Sequence, residues 1–197
     1  MVASLSGGRF VIAWADAHPI GRHLRRSAKA KIFGSDGSFV RDLFQRPPLS
    51  DKDHYPAAIA GLSGGGFVVA REEPTVFTAE HGPTKAAVFS AEGERVSKHF
   101  EVCGEALHAP HSISLASCPE GGFVAAWTAW GASGRSPVTV RAQVYGPYGE
   151  PNGSPIMLGN GQGQRNPAVL ALDDAQFLVA WEEIQANDNV CVKARFV

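Results

Sequence analysis

Acidic side chains recur at one place in this 197-residue sequence: Asp16, then Glu72 with Glu73, then Glu182 with Glu183, each just beyond a short apolar run that ends in tryptophan, arginine or alanine. Carboxylates brought together from neighbouring strand ends would suit a cation, a basic partner, or a paired general acid and base. Solvated strand ends are the plainer role, and the third copy of the run carries Thr128 and Ala129 there instead. Arg71 stands where the other copies have Trp14, Trp127 and Trp181, so a charge at a core position calls for a carboxylate such as Glu72, Glu73 or Glu183. Together with Trp130, these residues make up the candidate binding set.

Other reactive residues point to less. The stretch 21–31 holds Arg22, Arg25, Arg26, Lys29 and Lys31 but no aromatic residues to stack bases, and reads as a solvated loop. His108 and His111 sit three apart across a proline, and no metal-ligand motif accompanies them or His54 and His81, so no metal is assigned. Cys103, Cys118 and Cys191 are odd in number and read as core or edge thiols rather than a disulfide framework. The sequence has no G-x-S-x-G, and its GNGQG at 159–163 follows a strand rather than opening a helix. No catalytic residue and no cofactor is assigned.

The elements that would position the candidates come from an internal repeat. GGRFVIAW, GGGFVVAR, EGGFVAAW and DAQFLVAW place phenylalanine at Phe10, Phe67, Phe123 and Phe177. A second block follows each: KAKIFGSDG, KAAVFSAEG, RAQVYGPYG and a clipped KARFV at the C-terminal end. A proline at Pro56, Pro110 and Pro167 opens the later units. Each unit reads as four antiparallel strands joined by glycine turns, with units over 1–55, 56–109, 110–166 and a truncated 167–197.

The second strand of each unit is apolar on both faces, with large residues on one (Phe10, Ile12, Trp14) and small ones on the other (Val11, Ala13). Strands covered on both faces by neighbouring sheets suit radially stacked blades. The expected fold is an all-β β-propeller of about four four-stranded blades, the last one incomplete. Such an array either closes as a four-bladed ring or belongs to a larger one, completed by further chain or by a second copy as a homo-oligomer.

Composition agrees. Glycine at 22 and proline at 13 exceed average usage of about 7% and 5%, which fits many short strands and excludes a coiled coil. Eighteen basic against nineteen acidic residues leave no field to attract nucleic acid. No apolar run approaches the length of a membrane span, and MVASLSGGRF lacks the pattern of a signal peptide.

The stretch PAAIAGLSGGGFVVA and the block RAQVYGPYG resemble repeats of large bacterial secreted and cell-surface proteins, often found beside hemolysin-type calcium-binding segments and similar to integrin-like propeller blades. The resemblance implies architecture and a secreted or surface setting, with no catalytic residues to carry over. Calcium is not implied, because GSDG, SAEG and GPYG replace aspartate-rich turns.

In such blades the tight turns share one rim, while the connections 15–28, 72–84, 128–139 and 182–189 share the other with the joins between units. Binding residues gather on loops held by a rigid scaffold. The expected function is therefore a non-enzymatic module that binds a protein or glycan through the long-loop rim. The alternative is a small propeller hydrolase or lyase using rim carboxylates.

Overall fold

The computed structural model describes residues 1–20, 23–43, 55–72, 84–102, 111–129, 139–159, 163–172, 176–185 and 188–197. Among them fifteen strands form four separate antiparallel sheets, each a simple meander. The first sheet contains β1 (Val2–Ser4), β2 (Phe10–Ile20), β3 (His23–Phe33) and β4 (Phe39–Asp42). The second holds β5 (Tyr55–Gly61), β6 (Phe67–Glu72), β7 (Thr84–Phe89) and β8 (Phe100–Glu101). The third is built from β9 (His111–Ser117), β10 (Phe123–Ala129), β11 (Thr139–Tyr145) and β12 (Pro151–Met157). The last has three strands, β13 (Gln164–Ala171), β14 (Phe177–Ile184) and β15 (Val190–Phe196). No helix is long and apolar enough to cross a membrane.

The sheets stack face to face, and the two-sided apolar strands explain how. Val11 and Ala13 pack on Phe67 and Val69 of the next sheet. Val68 and Ala70 pack in turn on Phe123, Ala125 and Trp127. Val124 and Ala126 pack on Phe177, Val179 and Trp181. Every core cluster thus joins a small face to the large face of the following sheet, as expected for propeller blades. Stacked aromatic pairs reinforce the large faces, with Phe67 on Phe89 at 5.2 Å and Phe123 on Tyr145 at 5.0 Å between ring centroids. Tyr145 also reaches back to the preceding sheet, donating its hydroxyl to the Val102 carbonyl at 2.7 Å.

The turns between third and fourth strands share one backbone form. Gly37, Gly93 and Gly149 have φ of 81°, 82° and 89°, a left-handed conformation open to glycine, and each donates its N–H to the carbonyl three residues back.

Three features differ from the sequence reading. The connection expected over 15–28 is mostly strand: β2 and β3 stay paired from Phe10↔Phe33 to Ile20↔His23, so Asp16 and much of the basic stretch lie on a long hairpin. Polar residues hide such an extension because strand pairing itself uses only backbone groups. The connection at 182–189 is likewise shorter, since β14 runs to Ile184, opposite Val190, with Cys191 and Val192 as β-forming partners. The proline marker also does not occupy one structural position. Pro56 lies two residues before Ala58, the partner of Ala70, whereas Pro167 lies one before Ala168, the partner of Ala180. Register shifts at these strand starts absorb the difference, and Pro110 lies outside the described residues.

Candidate functional site

The tight turns fall at one end of the sheets, so antiparallel connectivity puts the joins from second to third strands, and from sheet to sheet, at the other. Much of that second end, with Glu73, Trp130, His54, His81, His108 and Cys103, lies outside the described residues. What is described there concentrates on the last two sheets, where β9 and β13 lie side by side.

Both strands begin irregularly, and both hold a non-glycine residue in the left-handed region, Ser112 at φ 50° and Asn166 at φ 51°. Asparagine tolerates that conformation better than most residues; for serine it is uncommon. The two are joined across the sheets, Ser112 Oγ donating to Asn166 Oδ1 at 3.2 Å. Beside them Arg165 Nε donates to Glu182 Oε2 at 2.9 Å. That bond, followed by one from the Asn166 amide, holds the Glu182 carboxyl below its ordinary value. Ser112, Asn166, Glu182 and Arg165 therefore form a continuous polar chain across two sheets, and Ser112, Arg165 and Asn166 are exposed.

A buried support lies behind this chain. Gln164 is fully buried, accepting the Val140 N–H at 3.0 Å through Oε1 and donating Nε2 to Glu183 Oε2 at 3.0 Å. Gly159 leaves room for the amide, since a Cβ there would overlap it. The Gln164 bond is the main reason the Glu183 carboxyl is also held low. Both carboxylates are thus ionised acceptors rather than proton donors near neutral pH.

The sequence candidates are distributed as follows. Glu182 and Glu183 are consecutive on β14 and face opposite sides of the sheet, so they do not converge as a carboxylate pair. Asp16 is exposed on β2 opposite Ser27. Arg71 is half-buried on β6, across from Lys85, and Glu72 ends that strand between Tyr55 and Thr84. Among the described residues no group of three His, Cys, Asp or Glu side chains could hold a metal. Cys118 and Cys191 are free thiols, and burial raises the Cys118 pKa. Gln164, Arg165, Asn166 and Ser112 were not candidates. The Asn-Pro pair at 166–167 was the one local sign of an irregular strand start.

A groove of about 460 Å³ lies at the opposite, tight-turn end, lined among others by Leu62, Glu92, Val96, Pro147 and Tyr148. Tyr148 there is 64% exposed.

No protein-family model and no curated protein sequence matches the chain. Solved structures do. A protein of unknown function from Dyadobacter fermentans superposes with a TM-score of 0.66 at 12% identity over 97% of this chain. An endo-arabinase from Bacteroides thetaiotaomicron gives 0.53 at 8% over 100%, and a thermostable family-43 glycoside hydrolase gives 0.52 at 14% over 96%. The shared property is the β-propeller fold. The chain spans half the length of the Dyadobacter protein, and 74% and 68% of the two hydrolases. The secreted repeat proteins and hemolysin-type segments of the sequence resemblance are not among these neighbours.

Proposed function

We propose that this propeller recognises a glycan at the end of the sheets where Ser112, Arg165, Asn166 and Glu182 meet. The observation that carries the reading is that polar chain. It offers a guanidinium, an amide, a hydroxyl and an ionised carboxylate on two adjacent rigid sheets, a donor and acceptor set matched to sugar hydroxyls. The near-zero net charge of −1 fits an uncharged ligand.

Hydrolysis of the glycan is the second reading, favoured by neighbours that are an endo-arabinase and a family-43 glycoside hydrolase. Cleavage of that kind needs two carboxyl groups, one ionised and one kept protonated. Glu182 and Glu183 are both held ionised. A panel of neutral oligosaccharides, arabinose-based ones included, tests both readings by direct binding and by release of new reducing ends. Binding without release supports recognition alone, release supports hydrolysis, and neither result sinks both.

A further inference from the structure

The groove at the tight-turn end lies away from the proposed glycan site. Its lining comes from three consecutive sheets: Ser6 from the first, the turns around Gly64 and Glu92 from the second, and Gly121 with Tyr148 from the third. Packed sheets lie about 10 Å apart, so the groove runs roughly 20 Å across their ends. About 460 Å³ spread over that length makes a long, shallow trough, a form suited to an extended chain.

The glycines of its floor divide by what the fold asks of them. At Gly66 a Cβ would overlap the Phe89 carbonyl oxygen, and at Gly122 that of Tyr145, so close strand packing requires both. Gly121 has φ of 103°, in the left-handed region. Gly64 has neither reason: its φ lies outside that region, and a Cβ built there meets nothing. The third sheet carries Glu120 at the matching position, since the Gly121 N–H bonds the Cys118 carbonyl as the Gly65 N–H bonds that of Leu62. The turn therefore tolerates a side chain, and the bare backbone at Gly64 leaves room for another backbone to approach.

The walls supply two kinds of contact. Val96 and Tyr148, 45% and 64% exposed, offer apolar surface. Glu92 is the one charged residue among the described lining, and its own backbone N–H, then the Ser90 hydroxyl, hold its carboxyl below the ordinary value. The turns 90–94, 119–122 and 146–150 carry Glu92, Glu94, Glu120 and Glu150 and no lysine or arginine. Arg9 and Arg41 of the first sheet pair with Glu92 and Glu94, and Arg95 turns to His99. This side of the groove is acidic even with both arginines counted.

We infer that the groove binds an extended, basic peptide of a partner protein, its main chain over Gly64, an apolar side chain against Tyr148 and Val96, and a lysine or arginine beside Glu92. The glycine floor admits a main chain, the exposed tyrosine gives it an anchor, and the acidic wall selects a cation. About seven residues at roughly 3.3 Å each span the trough.

The immobilised chain is used to select from a random heptapeptide library displayed on phage, and the enriched sequence is synthesised for calorimetric titration. Enrichment is expected to place lysine or arginine close to an apolar residue. Gly64→Leu fills the floor and is expected to weaken the peptide about tenfold or more, with unchanged circular dichroism. Glu92→Lys reverses the charge and is expected to weaken it about fivefold or more at low salt, and less at high salt. No enrichment over the bare support, an enriched sequence without a cation, an affinity unchanged by Gly64→Leu, or displacement of the peptide by a neutral oligosaccharide would each overturn the inference. Should Gly64→Leu fail to fold, Tyr148→Ala at the exposed wall repeats the test through loss of the apolar contact.

Discussion

Phe10 stacks on Phe33 with ring centroids 5.3 Å apart and planes 15° from parallel, nearly the geometry with which Phe67 meets Phe89 in the next sheet. The two pairs differ in cover rather than in contact: the second is buried under the first sheet's Val11 and Ala13, and the first has no described sheet over it. An identical cross-strand pair is therefore worth different amounts at the two ends of the array.

Truncation should reveal that difference. Phe123→Ala removes a fully buried ring from the central cluster and is expected to cost about 3–5 kcal/mol, with its partner Tyr145 left beside a cavity. Phe10→Ala should cost clearly less, because its site already borders solvent. Denaturant unfolding of both variants at dilute concentration checks the order.

Gln164 should be the polar residue least tolerant of change. Gln164→Leu leaves the Val140 N–H without its acceptor and Glu183 without its buried donor, an expected loss of about 1–3 kcal/mol. Gln164→Glu brings a second carboxylate against Glu183. That variant should be destabilised at neutral pH and partly restored as the solution is acidified, which a set of melting curves will show.

Acid should weaken the joint between the last two sheets. Glu182 and Glu183 have folded-state pKa values below the ordinary 4.5, so the folded chain binds protons less readily than the unfolded one. Their stabilisation is fully present above 4.5 and is lost as pH falls through the depressed folded values. Glu183→Gln should flatten the fall of melting temperature below pH 4.5 relative to wild type. An unchanged slope would mean that other carboxylates, such as Glu92 and Asp36, dominate acid unfolding.

The glycine turns should split into two classes. At Gly37 an added Cβ meets open space, so Gly37→Ala pays only for φ 81° and should cost about 1 kcal/mol. At Gly149 the Cβ would also overlap the ring of Phe100 in the preceding sheet, and Gly149→Ala should cost more. Melting temperatures of the two variants test the ranking.

Much of this architecture was legible in the residues. The spacing of Phe10, Phe67, Phe123 and Phe177, and the split between large and small residues along each second strand, already imply stacked sheets. Such signals survive in sequence because burial on both faces restricts residue type. The irregular strand starts were not legible. A bulge is set by backbone hydrogen bonding and leaves little trace in side-chain pattern, so the pairing of Ser112 with Asn166 and the role of Gln164 emerged only in three dimensions. The acidic residues were visible, but their orientation was not. Glu182 and Glu183 read as a pair along the chain, yet strand geometry turns them to opposite faces.

The most direct test of the proposed glycan site is calorimetric titration of the oligosaccharide that binds best against wild type, Glu182→Gln and Tyr148→Ala. Glu182→Gln removes the charge that Arg165 and Asn166 hold in place, and is expected to weaken binding about tenfold or more, the worth of one charge-assisted hydrogen bond. Tyr148→Ala lies at the opposite end and should leave binding unchanged. Equal affinity in wild type and Glu182→Gln, or a loss confined to Tyr148→Ala, would contradict the assignment of the site to this end of the sheets.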